Sequence, residues 1–459
     1  MRFKLRFFGC GLCITSVLLA QQGQFAGSVP SGTVSDTPLA LTLRDAIDRG
    51  LKANLGLLVS DLTSDVARSQ RVRALSALLP QVTGHVSETI EQLNLKTIGF
   101  TFTIPGVSLP SIVGPFHYTD ARAAATWSAF DYSARKNYRS AQDNERASRL
   151  SAQNARDLVV QAVAAAYLEI IADASRTDAI RSQVQTAQAL YDRALDQKQA
   201  GTAAGIDVLR SQVELQQQQQ RLLAQENQFA KDKLTLGRII GLPSAQEFKI
   251  AETVPFSPLS SIAQDQALRI AMDQRPDFRG TAAQVRAAEE AVQAARGERY
   301  PTATVNADYG DIGPTPASSH GTFTFTASAN FNIFDAGRIG ADVAQAKANL
   351  KQRQDELADL RGQIEYEVRT AFLDIRTAAD LIVVAQSNLD LANQTLTQAR
   401  DRFSAGVSDN IEVVQAQESV ATANDNLISA LYSHNVAKVA LARALGGADQ
   451  ELQRLIGVK

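Results

Sequence analysis

Cysteine occurs twice in these 459 residues, at Cys10 and Cys13, and both fall within the first 20. Beyond that point the chain has no thiol for a disulfide, a nucleophile or a metal ligand. Methionine is as scarce: after Met1 only Met272 remains, which argues against a thioether-lined path for soft metal ions. The four histidines, His85, His117, His320 and His434, are scattered, with no pair at metal-ligand spacing. No phosphate loop, nucleophile elbow or carboxylate pair sits on a recognisable catalytic scaffold. The expectation is therefore no enzyme, no cofactor and no bound metal.

A long apolar run is also missing after the N-terminus, so no transmembrane helix is expected. The N-terminus itself carries Arg2, Lys4 and Arg6 followed by "FFGCGLCITSVLLA", the pattern of a secretory signal over residues 1–20, cut after about Ala20 to Ala26. No cysteine follows it to carry a lipid. Without residues 1–20 the chain has 43 basic and 48 acidic residues, a balance that disfavours nucleic acid as a partner.

Proline is unevenly absent. All 13 prolines lie in three clusters, Pro30–Pro115, Pro243–Pro301 and Pro314 with Pro316. Because proline costs about 3 kcal/mol inside a helix, the two empty stretches are where long helices fit. In the second, Val368, Ile375, Ile382, Leu389, Leu396 and Phe403 recur every seventh residue. Ala371, Ala378, Ala385, Ala392 and Ala399 follow the first five at a spacing of three, giving a coiled-coil seam of large and small residues. Val163, Ile170, Thr177, Val184 and Tyr191 form a weaker version in the first gap.

Both helices should stop at related phrases, "AGTAAGIDVLRSQ" from Ala200 and "AGVSDNIEVVQAQ" from Ala405, identical at five of 13 positions. Gly201 and Gly406 suit the left-handed position that ends a helix, and Asp409 with Glu412 suits the start of the next. Each phrase reads as the tip of a helical hairpin. "LTLRDAIDRGLKANLGLL" from Leu41 likewise aligns with "IAQDQALRIAMDQRPDFR" from Ile262. The expected organisation is a first repeat over 27–240 and a second over 262–447, joined by a linker at 241–261 and followed by a tail at 448–459. The first holds a helix, strands at 82–95 and 117–130, a long helix at 134–200, a tip at 201–206 and a return helix at 207–240. The second holds a helix, strands at 301–310 and 321–334, a long helix at 338–404, a tip at 405–409 and a return helix at 410–446.

The strands alternate. In "TFTFTASANFNIF" from Thr322, Phe323, Phe325 and Phe331 share one side with Ala327 and Ile333, and Thr or Asn residues take the other. About ten residues with this period match an outer-membrane strand, its phenylalanines facing lipid. Four strands cannot close a barrel, and an open edge in lipid leaves costly unpaired backbone, so copies must share one. Two, three or four chains would each serve.

At this point the sequence resembles the TolC-like outer-membrane efflux family, over about Leu41 to Gly447. The resemblance rests on "LTLRDAI", "LLPQV", "DQRPDF", "ERYPTATVNADYG" and "FNIFDAGRIGADVAQAKANL", in that order, with the doubled tip. It implies an α+β membrane protein: a homotrimer in which four strands per chain make a 12-stranded barrel in outer-membrane lipid, continued by a long α-helical barrel in the periplasm. It further implies a passive exit duct docked to a periplasmic adaptor and an inner-membrane RND or ABC transporter, serving efflux or type I secretion. The tips would form the periplasmic entrance. Asp207 and Glu412 match the family's acidic gate positions, Asp409 lies beside them, and Gln415 stands where some members carry a second acid. Gly201, Gly205, Gly406 and Ser408 belong to the tips that meet the adaptor. Arg193 and Arg402, just before the turns, read as interhelix ion-pair partners, and the "QQQQQ" at 216–220 reads as a solvated face. An exported trimeric coiled-coil spacer or adhesin is the alternative, but it has no need of four strands divided between two helical repeats.

Overall fold

The computed structural model describes residues 25–97, 99, 110–202, 204–251, 256–258, 262–408 and 410–456. The expected signal segment, residues 98 and 100–109, and Asp409 lie outside the described residues. In chain order the elements are β1 (Leu39–Leu41), α1 (Leu43–Ala53), α2 (Leu55–Ser76), β2 (Gln81–Asn94) and β3 (Ile112–Phe130). The long helix α3 (Tyr132–Gln199) and its return α4 (Gly205–Ile239) follow, then β4 (Phe248–Ile250), α5 (Gln264–Gln274), α6 (Pro276–Gly297), β5 (Thr302–Gly313) and β6 (His320–Asn330). A second long helix α7 (Arg338–Ser404), its return α8 (Asn410–Leu445) and a short α9 (Ala448–Ile456) complete the chain.

Two compact units emerge. One comprises Asp65–Ala147 and Thr281–Glu356 and holds the four-stranded antiparallel sheet, ordered β2-β3-β5-β6. Its register aligns Ala123 with Tyr309 and Tyr309 with Phe323, while Arg122 meets Gly310 and Gly310 meets Thr322. Since neighbours across strands share a face and successive residues alternate, Val82, Val86, Ala121, Ala123, Val305, Tyr309, Phe323 and Phe325 fall on one side. Where the long helices leave the sheet, an aspartate caps each. Asp131 Oδ1 accepts from the Ala134 N–H at 2.8 Å, and Asp335 Oδ2 accepts from the Ile339 N–H at 2.9 Å. Each aspartate follows a phenylalanine, Phe130 in the first half and Phe334 in the second. The strand expected over 321–334 stops at Asn330, so Phe331 lies just past its end. Asp335 and the backbone of Ala336, at φ 50°, already belong to the turn that starts α7.

The other unit contains the described residues up to Ser64, Ser148–Gly280 and Leu357 onward. Its core includes Val159, Val160, Val163, Tyr167 and Ile170 of α3, Val368 and Ile375 of α7, and Leu441 and Leu445 of α8. Part of α3 is apolar enough to pass as a membrane span by length and composition. Its most apolar stretch is instead the middle of this core, where burying each large side chain contributes about 1.5–3 kcal/mol. Four of the five seam alanines of α7 are buried as a coiled-coil packing requires, Ala371 at 4%, Ala378 at 4%, Ala385 at 7% and Ala399 at 2% exposure, and Ala392 is half-buried.

Two segments read as connectors turn out to be structured. Within 241–261, β4 pairs in parallel with β1, Phe248 opposite Leu39. Of the tail, Ala448–Ile456 form helix α9, seated by Leu452 and Leu455, which are buried. Its first N–H groups are taken by Asp157, which accepts from Gly447 at 3.2 Å and Ala448 at 3.0 Å. Each repeat's first helix is also broken in two, at Asn54 and at Arg275, with ψ of 124° and 122°.

Candidate membrane sheet and hairpin tips

The apolar face of the sheet is exposed. Val82, Val86 and Ile90 on β2 are 73–77% accessible, and Tyr309, Phe323 and Phe325 are 65%, 79% and 68% accessible. Trp127 of β3 shares this side, its indole N–H donating to the Leu78 carbonyl at 3.2 Å. A face so apolar has no place against water, whereas lipid solvates it without cost. The opposite face is polar. There Arg122 bonds Asp308, Asp120 Oδ2 at 3.4 Å and Thr322 Oγ1 at 3.2 Å, in line with Thr324 and Asn306. Asp120 and Arg122 stand two apart on one strand, a spacing that could have disclosed the cluster. Among the described residues β2 and β6 each have one edge without a strand partner.

The tips sit at the far ends of the long helices in the sequence, and the two turns are built alike. Gly201 N donates to Lys198 O at 3.0 Å and Thr202 N to Gln197 O at 2.9 Å. Gly406 N donates to Phe403 O at 3.1 Å and Val407 N to Arg402 O at 3.0 Å. This is the Schellman pattern, and it places each glycine at φ +72°, where a side chain would be strained. Gly205 begins α4, Ser408 is half-buried, and Val407 is 71% exposed.

Asp207 and Glu412 are each the third residue of a return helix, where the N-terminal dipole favours an anion. Asp207 Oδ1 lies 3.7 Å from Arg210 Nη1 on its own helix. Glu412 Oε1 instead lies 3.4 Å from Arg402 Nε, across the turn. Arg402 is thus an interhelix partner, while Arg193 is exposed on α3. Gln415 is exposed, one turn beyond Glu412. The glutamine run is not uniformly solvated: Gln218 is 2% exposed and hydrogen-bonded to Glu214 at 2.7 Å.

An amphipathic sheet with open edges, joined to doubled long helical hairpins, defines a channel protein of the outer membrane. The outer membrane efflux protein family matches residues 46–242 and 267–447, and the chain belongs to it. The pyoverdine export outer membrane protein OpmQ of Pseudomonas aeruginosa is 26% identical over 406 residues, spanning 85% of this chain and 83% of that one. The probable outer membrane lipoprotein SilC of Salmonella typhimurium is 29% identical over 241 residues, 49% of this chain and 48% of that one. Among solved structures, the outer-membrane channel OprN superposes with a TM-score of 0.78 at 18% identity, over 91% of this chain and 98% of that one. The outer membrane protein VceC of Vibrio cholerae gives 0.77 at 17%, over 88% and 96%. The fold is that of these channels, and the protein is an outer-membrane exit duct for efflux.

Proposed function

We propose that three copies of this chain close one 12-stranded barrel and one helical barrel, a passive conduit for small organic molecules supplied by an inner-membrane pump through a periplasmic adaptor. The observation that carries a barrel shared between copies is the four-stranded sheet, apolar on one exposed face and, among the described residues, unpaired at both edges. The number three follows the family resemblance. In lipid those edges cost several kcal/mol for each open backbone group unless neighbouring copies supply strands. The helices support the same assembly. Along α4, Ile206, Leu209, Val213, Leu223 and Leu234 hold heptad positions and are 51–69% exposed. On α7, Tyr366, Leu373, Val384 and Leu391 are 57–70% exposed, apart from the buried seam. Such rows suit neighbouring copies.

On this reading residues 27–240 and 262–447 are the two structural repeats, and their tips are the periplasmic mouth. Asp207 and Glu412, with Asp409 and Gln415 nearby, act as its gate. Gly201, Gly205, Gly406 and Ser408 shape the surface that meets the adaptor, an RND- or ABC-type transporter standing behind it. Relatives named for pyoverdine export and toluene efflux favour small organic cargo over polypeptide.

Strand substitutions test the barrel. Phe325→Arg should cost about 2–4 kcal/mol on the lipid face and abolish the heat-sensitive trimer band in outer-membrane fractions. Thr324→Arg, one residue away on the lumen face, should leave that band in place. Equal tolerance of the two would overturn the proposal.

A further inference from the structure

The chain passes four times between helix and sheet, at α2–β2, β3–α3, α6–β5 and β6–α7. Arginines without partners gather at three of these crossings. Arg73 stands in the last turn of α2, Arg135 and Arg139 near the start of α3, Arg296 in the last turn of α6 and Arg299 just past it. All five are exposed, all belong to the unit that carries the sheet, and none has an ion-pair partner among the described residues. The acids at this level are engaged. Asp131 and Asp335 cap helices, Glu290 holds Lys136 at 2.8 Å, and Glu298 holds Arg338 at 2.7 Å. Exposed aromatic rings stand at the same crossings: Trp127 and Phe130 toward the end of β3, and Tyr300 beside Arg299.

Helix electrostatics does not account for all of these cations. At the C-terminal ends of α2 and α6 the dipole itself favours Arg73 and Arg296. The start of α3 favours anions instead, yet its first turn holds no acid and Arg135 stands there. An anion from outside the chain would offset that arrangement. Aromatic rings beside arginines mark the interface of a bilayer with water. Here that interface faces the periplasm, the side on which the helices lie. We propose that the five arginines form a collar that holds the phosphates of anionic phospholipids in the periplasm-facing leaflet. The proposal rests on the sheet's place in outer-membrane lipid. Arg135 and Arg139, one turn apart, present two guanidinium forks on one face of α3, each matched to two phosphate oxygens. Headgroups held there would fix the depth at which the sheet sits in the membrane.

Trp127 is the one tryptophan of the chain and stands on the lipid side of β3, shortly before α3, so its fluorescence reports the lipids around it. The test reconstitutes the purified full-length protein in phosphatidylcholine vesicles that contain increasing shares of brominated phosphatidylglycerol, or of brominated phosphatidylcholine, and follows quenching of Trp127. Wild type should favour phosphatidylglycerol about tenfold or more, and high salt should shrink that preference. Arg135→Gln with Arg139→Gln should lower it roughly fivefold or more, whereas lysine at both positions should retain most of it. Thermal unfolding checks that each variant folds, and Arg296→Gln with Arg299→Gln serves if the first pair folds poorly. Equal quenching by the two lipids in wild type, or a preference unchanged in the glutamine variants, would overturn the proposal and leave the sheet in the membrane. No quenching by either lipid would remove the sheet from the bilayer, and the proposal with it.

Discussion

Asn54 and Arg275 occupy the same station in the two halves of the chain and solve it with opposite chemistry. Each ends a short helix with its N–H on the carbonyl four residues back, Gly50 or Ala271, and each turns to ψ near 120° before the next helix. Both side chains are buried, at 0% and 1% exposure. Asn54 stays neutral, donating to Phe25 O at 2.6 Å and accepting from Gly56 N at 3.0 Å. Arg275 is charged, held by Asp277 at 2.6 and 3.0 Å and by Glu367, with Arg443 3.4 Å from Asp277. The tips show the same balance, with matching backbone hydrogen bonds and differently placed charges. The geometry of a kink or turn is thus shared between halves, and the side chains that satisfy it are free to differ.

The largest expected effect lies at the charged kink. Arg275→Ala takes the buried guanidinium away from Asp277 and Glu367 and leaves a hole, which costs about 3–5 kcal/mol. Asn54→Ala frees one acceptor and one donor, at about 1–3 kcal/mol. Urea unfolding of the purified protein compares them, and equal losses would break the contrast between a charged and a neutral solution.

Next in size is a pH effect from another asymmetric buried group, Asp173 on α3. Burial, with a hydrogen bond to Asp232 of α4 and the nearby Glu169, raises its carboxyl to about 6. Arg176 at 3.2 Å and Gln225 at 3.0 Å oppose that rise; Asp425 of α8 bonds the same arginine at 3.2 Å. A carboxyl whose folded pKa is raised favours the protonated fold, so its contribution is present near pH 4 and is lost as pH rises through about 6. Stability should fall by roughly 1–3 kcal/mol over that window. Asp173→Asn should flatten the profile in thermal unfolding, and an unchanged slope would assign it to other groups.

What the sequence discloses and what it hides follow from the physics of each feature. Absence of proline and a sustained heptad reveal α3 and α7, because both constraints act over dozens of residues. Pro276 forces the residue before it out of helix and so marks the Arg275 kink. No such marker stands at Asn54, and that break is invisible until Phe25 and Gly56 are seen beside it. The β1–β4 pair joins three-residue strands 209 positions apart, too short for any period to show. Of the glutamine run only Gln218 is buried, because helical rotation sends one residue in three or four inward. At the tips the glycines are legible and the ion pairs are not, since a 3.4 Å contact between Arg402 and Glu412 depends on how the two arms meet.

A smaller loss is expected at the tip glycines. Nothing lies within 4 Å of a Cβ built on Gly201 or Gly406, so alanine meets only the strain of φ +72°. Each substitution should cost about 1 kcal/mol, and the same amount in both hairpins. Unequal shifts in unfolding midpoint would mean that the turns, for all their matching hydrogen bonds, bear different loads.

The smallest change in stability should come with a large change in conductance. Glu412 and Arg402 are 41% and 58% exposed, so their pair contributes at most about 1 kcal/mol to the fold. Asp207 is less exposed, at 20%, and faces Arg210 on its own helix. If three copies bring these acids to one mouth, the carboxylates repel each other, attract cations, and are restrained by their arginines. Removing Glu412 also unties the two arms of the second hairpin, whereas removing Asp207 leaves its hairpin's backbone turn as it was. Glu412→Ala is therefore expected to raise single-channel conductance and weaken cation selectivity more than Asp207→Ala, with trimer yield unchanged in both. Arg402→Ala should raise conductance while keeping selectivity, because it releases the arm and spares the charge. Planar-bilayer recordings of the three variants separate latch from charge. Conductance and selectivity equal to wild type in all three would return both acids to plain helix-terminal roles.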